Sequence, residues 1–192
     1  MPLDTRADGV PRAVYADWLA ALLRAGWSNQ TTIVWHEGNV SRLSAWGSYL
    51  SAPGPVVTAP VEMIIVVHRG EWVLEDKGRH LTPEDRVWTS GVWQFRGASS
   101  PEHTAPFPEE LPRRAIKVFS QPGATVADPF LGEGTTGWVA AELGRSFRGS
   151  DISETWVAIA LDNIARELGA RVRAESVPQR APVREAFAEA SG

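Results

Sequence analysis

Residues 125–137 read Thr-Val-Ala-Asp-Pro-Phe-Leu-Gly-Glu-Gly-Thr-Thr-Gly, and the reading of this stretch decides the fold. Thr125 to Ala127 reads as a short strand, and a glycine-rich loop runs from Leu131 to Gly137. Residues 135–143 predict a helix that stops at Gly144, and Ser146 to Ile152 predicts a second strand. Glu154 to Leu168 then carries Trp156, Val157, Ile159, Ala160, Ile164 and Leu168 on one side, the pattern of an amphipathic helix. Strand, helix, strand and helix in that order predict a right-handed βαβ unit within an α/β sheet.

Outward from this unit, Pro108 to Phe119 reads as a helix and Gln121-Pro122-Gly123 as a turn. Residues 11–26 predict another helix, because Tyr15, Trp18, Leu19, Leu22 and Leu23 recur at helical spacing and Gly26 can stop it. Thr31–Trp35 and Met63–Val67 are apolar, β-branched runs expected as buried strands. Ser41–Pro60 is rich in Ser, Gly, Ala and Pro and is expected as an ordered loop. The stretch 72–96 holds Trp72, Trp88, Trp93 and Phe95 among charges and glycines and is expected as a hairpin or irregular arm. Residues 175–192 are Ala, Pro and charges, the composition of a frayed tail.

Composition narrows the function. The 192 residues amount to one ordinary domain or part of a larger one. The absence of cysteine excludes disulfides, cysteine–zinc sites and thiolate nucleophiles. His36, His68, His80 and His103 lie too far apart for a compact zinc motif, and no metal is expected. A net charge of −4 gives no bulk attraction to nucleic acid. The cations are 17 Arg and two Lys; Arg suits bidentate contact with phosphates and bases, and a GC-rich genome produces the same bias. No run reaches the ~18 apolar residues of a membrane span, and the charged N-terminus lacks the apolar core of a signal peptide, so the cytosol is the expected compartment.

Gly132, Gly134 and Gly137 satisfy the dinucleotide fingerprint G-x-G-x-x-G, with Asp151 at the end of the next strand to meet ribose hydroxyls. A purely structural glycine turn fits the same pattern. The charges discriminate between ligands. A dinucleotide brings its pyrophosphate to this helix N-terminus, where Asp128 and Glu133 would repel it. S-adenosylmethionine (SAM) has no phosphate and carries a sulfonium and an ammonium, so the acidic loop favours SAM over NAD.

Asp128-Pro129-Phe130-x-Gly132-x-Gly134-Thr135-Thr136 resembles motif I of the β-class DNA amino-methyltransferases, which modify exocyclic amino groups of adenine or cytosine. His103-Thr104-Ala105-Pro106-Phe107-Pro108, followed by Leu111, Arg114 and Ile116, resembles that family's motif X, and motif X directly before motif I is its permuted order. Gly144-Arg145, Gly149-x-Asp151-Ile152 and Ile159-Ala160 continue the match. Ile33-Val34-Trp35 and Glu62 to Val66 resemble the late strands, and Tyr15-x-x-Trp18-Leu19 the helix after the catalytic motif. The resemblance implies a Rossmann-like SAM-dependent methyltransferase fold. It implies that Asp128, Phe130, Gly132, Gly134 and Thr135 line the methionine end of SAM. Asp151 would take the ribose hydroxyls, and Thr104, Ala105, Pro106 and Phe107 would close over the cofactor. Three positions depart from the pattern. Thr104 stands where the family usually has Pro, Glu133 where it has Ser, and Trp156 where it has Tyr, the last expected simply to pack in the core.

The family also carries a polar-Pro-Pro-aromatic tetrapeptide that holds the flipped base, and this sequence contains no Pro-Pro pair. The strands that should bear it would precede Met1, so an incomplete sheet is expected. The chain reads as a fragment, as one part of a split enzyme whose partner chain supplies the motif, or as a catalytically inactive module binding SAM or nucleic acid. An open sheet edge favours a homodimer or a partner chain. Residues 1–100 are expected as a partial catalytic and target-recognition half, 101–170 as the SAM-binding region and 171–192 as a tail. DNA is the expected substrate. Its candidate contacts are Arg79, Arg86, Arg96 and the tryptophans of the arm, with Arg42, Trp46 and Tyr49 in the preceding loop; core tryptophans and a solvated arginine face are the competing reading. Arg113 and Arg114 are read as equally able to face solvent. Cytosine carbon-5 methylation is excluded, since it needs a thiolate.

Overall fold

The computed structural model describes residues 5–7, 10–38, 61–73, 81–98 and 107–168. The expected tail, the loop 41–60 and residues Thr104, Ala105 and Pro106 lie outside them. The chain opens with a small antiparallel hairpin, β1 (Thr5–Ala7) and β2 (Val10–Arg12), which the sequence reading did not anticipate. Helix α1 (Val14–Arg24) follows and lies against β3 (Ser28–His36), where the Tyr15 hydroxyl is 3.0 Å from Thr32 Oγ1. β3 pairs antiparallel with β4 (Val61–His68) and parallel with the short β5 (Val92–Gln94), giving the order β4–β3–β5.

Of the two expectations for the arm, the described part before β5, from residue 81, follows the irregular one and not the hairpin. It is a 3₁₀ helix, Glu84–Thr89, leading into a strand parallel to β3. Its tryptophans are structural: Trp93 is fully buried and donates its indole N–H to the Trp88 carbonyl at 2.9 Å. On the same side, Trp35 stacks on Phe95 at 5.0 Å and donates to its carbonyl.

Helix α2 (Glu110–Phe119) joins two hydrophobic centres. Leu111, Ala115 and Phe119 pack against Ile33, Val66 and Trp93, while Ile116 packs with Val139 and Ala140 of α3 (Thr135–Glu142). Arg113 and Arg114 do not lie in solvent. Arg113 grips both carboxylate oxygens of Glu142 at 2.9 and 2.7 Å. Arg114 bonds Glu110, and its guanidinium lies over the Phe95 ring at 4.6 Å.

Lys117 pairs with the buried Asp85, whose carboxylate also takes the Thr82 amide while Thr82 Oγ1 takes the Asp85 amide. Burial opposes ionisation of Asp85, but the Lys117 ammonium and the Thr82 donors outweigh it and hold the carboxyl below its usual range. A depressed folded-state pKa gives stability that is present above the unfolded value and lost as pH falls through the folded one. Asp85→Ala strands Lys117 and is expected to cost about 3 kcal/mol at pH 7. The difference from the parent should shrink on acidification towards pH 3; urea titrations at the two pH values measure it.

The second sheet is β6 (Thr125–Asp128) parallel to β7 (Ser146–Gly149), in register from Thr125↔Ser146 to Asp128↔Gly149. α3 connects them, and α4 (Glu154–Leu168) packs on α3, burying Ala160 and Ile164. This is the expected βαβ unit. β7, however, ends at Gly149 and not at Ile152: Ser150 N–H still gives a ladder bond to the Asp128 carbonyl, and beyond it Asp151 turns the chain by accepting the Ser153 amide. Ile152 is left fully exposed. Among the described residues no helix is long and apolar enough to cross a membrane.

Candidate functional site

The site is built where β6 and β7 end side by side, at the carboxyl edge at which α/β sheets bind ligands. Asp128 is the last residue of β6. One of its oxygens accepts the Phe130 amide at 2.9 Å, and the other accepts the Thr136 hydroxyl at 2.7 Å, so it ties the loop's first turn to α3. Asp151 lies two residues beyond β7. It accepts the Gly132 amide at 3.0 Å on one oxygen and the Ser153 amide at 3.0 Å on the other. Thus one carboxylate holds the loop from β6 and a second holds it from β7.

The turn between them is set by its glycines and by one anchor. Leu131 is buried and donates its amide to the Ser150 carbonyl. Gly134 has φ +86°, and a Cβ there would stand 2.9 Å from Ala160 Cβ, so α4 packs directly on bare loop backbone. Packing requires a glycine at Gly137, since a Cβ would meet Ile164 Cδ1 at 2.5 Å. Phe130, by contrast, is 79% exposed beside the loop.

Of the residues read from sequence, Asp128, Gly132, Gly134, Thr135 and Asp151 are brought together, with Phe130 at the rim. Phe107 is half-buried ahead of α2, which carries Leu111, Arg114 and Ile116 of the same motif, while His103 to Pro106 lie outside the described residues. Three contributors were missed. Thr136 and Ser153 bond the two carboxylates, and Asn163 of α4 donates to the Glu133 carbonyl at 3.0 Å. Asn163 stands beside Ile164 and one turn beyond Ala160, and an amide set among buried positions was a signal available in the sequence. In the arm, Arg86, Arg96 and Trp72 are exposed, whereas Trp88 and Trp93 are engaged in packing.

A family model described as DNA methylase matches residues 17–162. The type II methyltransferase M.MjaVI of Methanocaldococcus jannaschii is 44% identical over 104 residues, covering 53% of this chain and 53% of that protein. M.MjaI of the same organism is 35% identical over 144 residues, covering 69% of this chain and 48% of that protein. The chain therefore spans about half the length of the curated relatives it matches. Among solved structures, TTHA0409 of Thermus thermophilus, described as a DNA modification methylase, superposes with a TM-score of 0.69 at 25% identity, over 85% of this chain and 67% of that one. The same protein has been crystallised with S-adenosyl-L-methionine. With a parallel strand pair, a glycine loop slung between two carboxylates, and a family match over most of its length, this chain belongs to the DNA methylase family of N6/N4 amino-methyltransferases.

Proposed function

We propose that the chain is the cofactor-binding part of a SAM-dependent DNA methyltransferase acting on the exocyclic amino group of adenine or cytosine, as a fragment or as one part of a split enzyme. The observation that carries this reading is the convergence of Asp128 and Asp151 on one glycine loop at adjacent parallel strand ends. Anionic side chains and bare backbone suit a cationic ligand without phosphate. Bound SAM would supply an electrophilic methyl group on its sulfonium. In this reading Asp128, Phe130, Gly132, Gly134 and Thr135 line its methionine end, Asp151 binds the ribose hydroxyls, and Thr104 to Phe107 close over it.

The base must leave its stack to be reached, and with no Pro-Pro pair here, the tetrapeptide that holds it comes from another segment or a partner chain. Supporting this, among the described residues β6 has β7 as its ladder partner, and Thr125 and Ala127 are exposed. Parallel strands are ordinarily covered on both faces, and an uncovered edge invites pairing. Arg86, Arg96 and Trp72 are the remaining described candidates for DNA contact.

Calorimetry of the chain with SAM and with NAD is the test. SAM is expected to give binding heat and NAD none; the reverse result would overturn the assignment. Labelled methyl groups should enter DNA only once the part of M.MjaVI that this chain does not match is added. The missing Pro-Pro pair also favours a second reading, a SAM- or nucleic-acid-binding module without catalysis. SAM binding with no methyl incorporation under any combination of chains would select it.

A further inference from the structure

We infer that Asn163, oriented by Arg166, is a positioning residue that keeps the loop in the form that binds the cofactor. The inference rests on the reading of residues 131–137 as a SAM loop. The peptide between Glu133 and Gly134 has a soft torsion on its Gly134 side, where φ is +86°, and Gly132 before Glu133 also has positive φ, at +49°. Two bonds fix its plane. Its N–H, that of Gly134, donates to the Leu131 carbonyl at 2.9 Å inside the loop. Its carbonyl, that of Glu133, accepts from Asn163 Nδ2 at 3.0 Å, across to α4.

The Asn163 amide can serve this carbonyl only with its NH₂ turned towards the loop. Arg166, one turn further along α4, sets that orientation by donating from Nη2 to Asn163 Oδ1 at 2.9 Å. A guanidinium cannot accept a hydrogen bond, so the amide oxygen must face Arg166 and the amide nitrogen must face Glu133. Together with the close Gly134–Ala160 contact, this makes α4 the template on which the loop is laid. Neither Asn163 nor Arg166 need touch the ligand.

Full-length variants tested by calorimetry with SAM, each beside a thermal melt, decide the matter. Asn163→Asp keeps the shape and keeps a partner for Arg166 but has no donor for the carbonyl. It is expected to bind SAM about tenfold more weakly, as is Asn163→Ala, with the melting temperature of the Asp variant held close to the parent's. Arg166→Ala leaves the amide free to turn and is expected to weaken binding two- to threefold. A purely structural role for Asn163 would move the melt and not the affinity. Parent-like affinity in both Asn163→Asp and Arg166→Ala overturns the inference and leaves the cofactor assignment standing. Absence of SAM binding by the parent chain overturns both.

Discussion

Gly134→Val is expected to abolish measurable SAM binding and to lower unfolding stability by about 3 kcal/mol. Left-handed backbone costs a side-chain-bearing residue roughly 1–2 kcal/mol, and overpacking adds about 1–3 kcal/mol. Both apply, since φ is +86° and a Cβ would stand 2.9 Å from Ala160 Cβ and 3.1 Å from its Cα. Relief of this clash displaces either the loop or α4, and either movement breaks the Asn163–Glu133 bond. The packing of α4 on the loop is what adds the stability cost to the loss of binding. Gly134→Ala combined with Ala160→Gly should recover part of the stability, because it removes the side-chain clash while leaving the backbone strain. Asp151→Ala takes away the side chain proposed to meet the ribose hydroxyls and should weaken SAM by roughly a hundredfold, on the order of 3 kcal/mol for hydrogen bonds to a charged group. It also removes the acceptor for the Gly132 and Ser153 amides, so a loss of about 1–2 kcal/mol in unfolding stability accompanies it. Calorimetry and urea unfolding on the same preparations give the two quantities, and parent-like affinity in both variants would remove the site assignment.

The second large effect is expected at Arg145. This guanidinium is buried, and its hydrogen-bond partners are neutral oxygens: Ser120 Oγ at 3.2 Å, the Ser120 carbonyl at 2.6 Å, and the Leu143 carbonyl. Burial depresses its pKa, although an arginine stays protonated. The two carbonyls belong to the residues capping the C-terminal ends of α2 and α3, where the helix dipole is negative and a cation is favoured. Arg145→Ala would leave several of these acceptors unmet and is expected to destabilise the chain by roughly 3 kcal/mol, read from urea unfolding at pH 7. Arg145→Lys keeps the charge but not the planar fork and should recover less than half. A loss under about 1 kcal/mol in the alanine variant would contradict this account of how the two helices are joined.

The parts of the fold legible in the sequence are those where a local pattern and the tertiary structure agree. The glycine loop, α4 and the apolar runs that became β3 and β4 carry their own periodicity or turn chemistry. The reading failed where a side chain was claimed by a distant partner. Ile152 looks like the end of a strand, but the Asp151 carboxylate takes two amides and turns the chain away, leaving Ile152 in solvent. Arg113 and Arg114 look like surface charges; beside their one-turn pairs with Glu109 and Glu110, the folded positions of Glu142 and the Trp88–Phe95 arm engage them. The 3₁₀ helix at Glu84–Thr89 rests on the Thr82–Asp85 exchange and on Lys117 of α2, 32 residues beyond Asp85. At the candidate site the carboxylates and glycines were legible because their chemistry is local. For Asn163 the sequence shows an amide among apolar positions of α4, but its partner, the Glu133 carbonyl, emerges only once α4 folds back over the loop.

Helix α2 touches the centre beneath β3 and β4 through Leu111, Ala115 and Phe119, and the centre beneath β6 through Ile116. Among the described residues these two sheets share no ladder, and α2, with the arginines and lysine it carries, ties one centre to the other, so a disturbance at the arm reaches the glycine loop through the pitch and seating of that rod, as a change of angle rather than of contact.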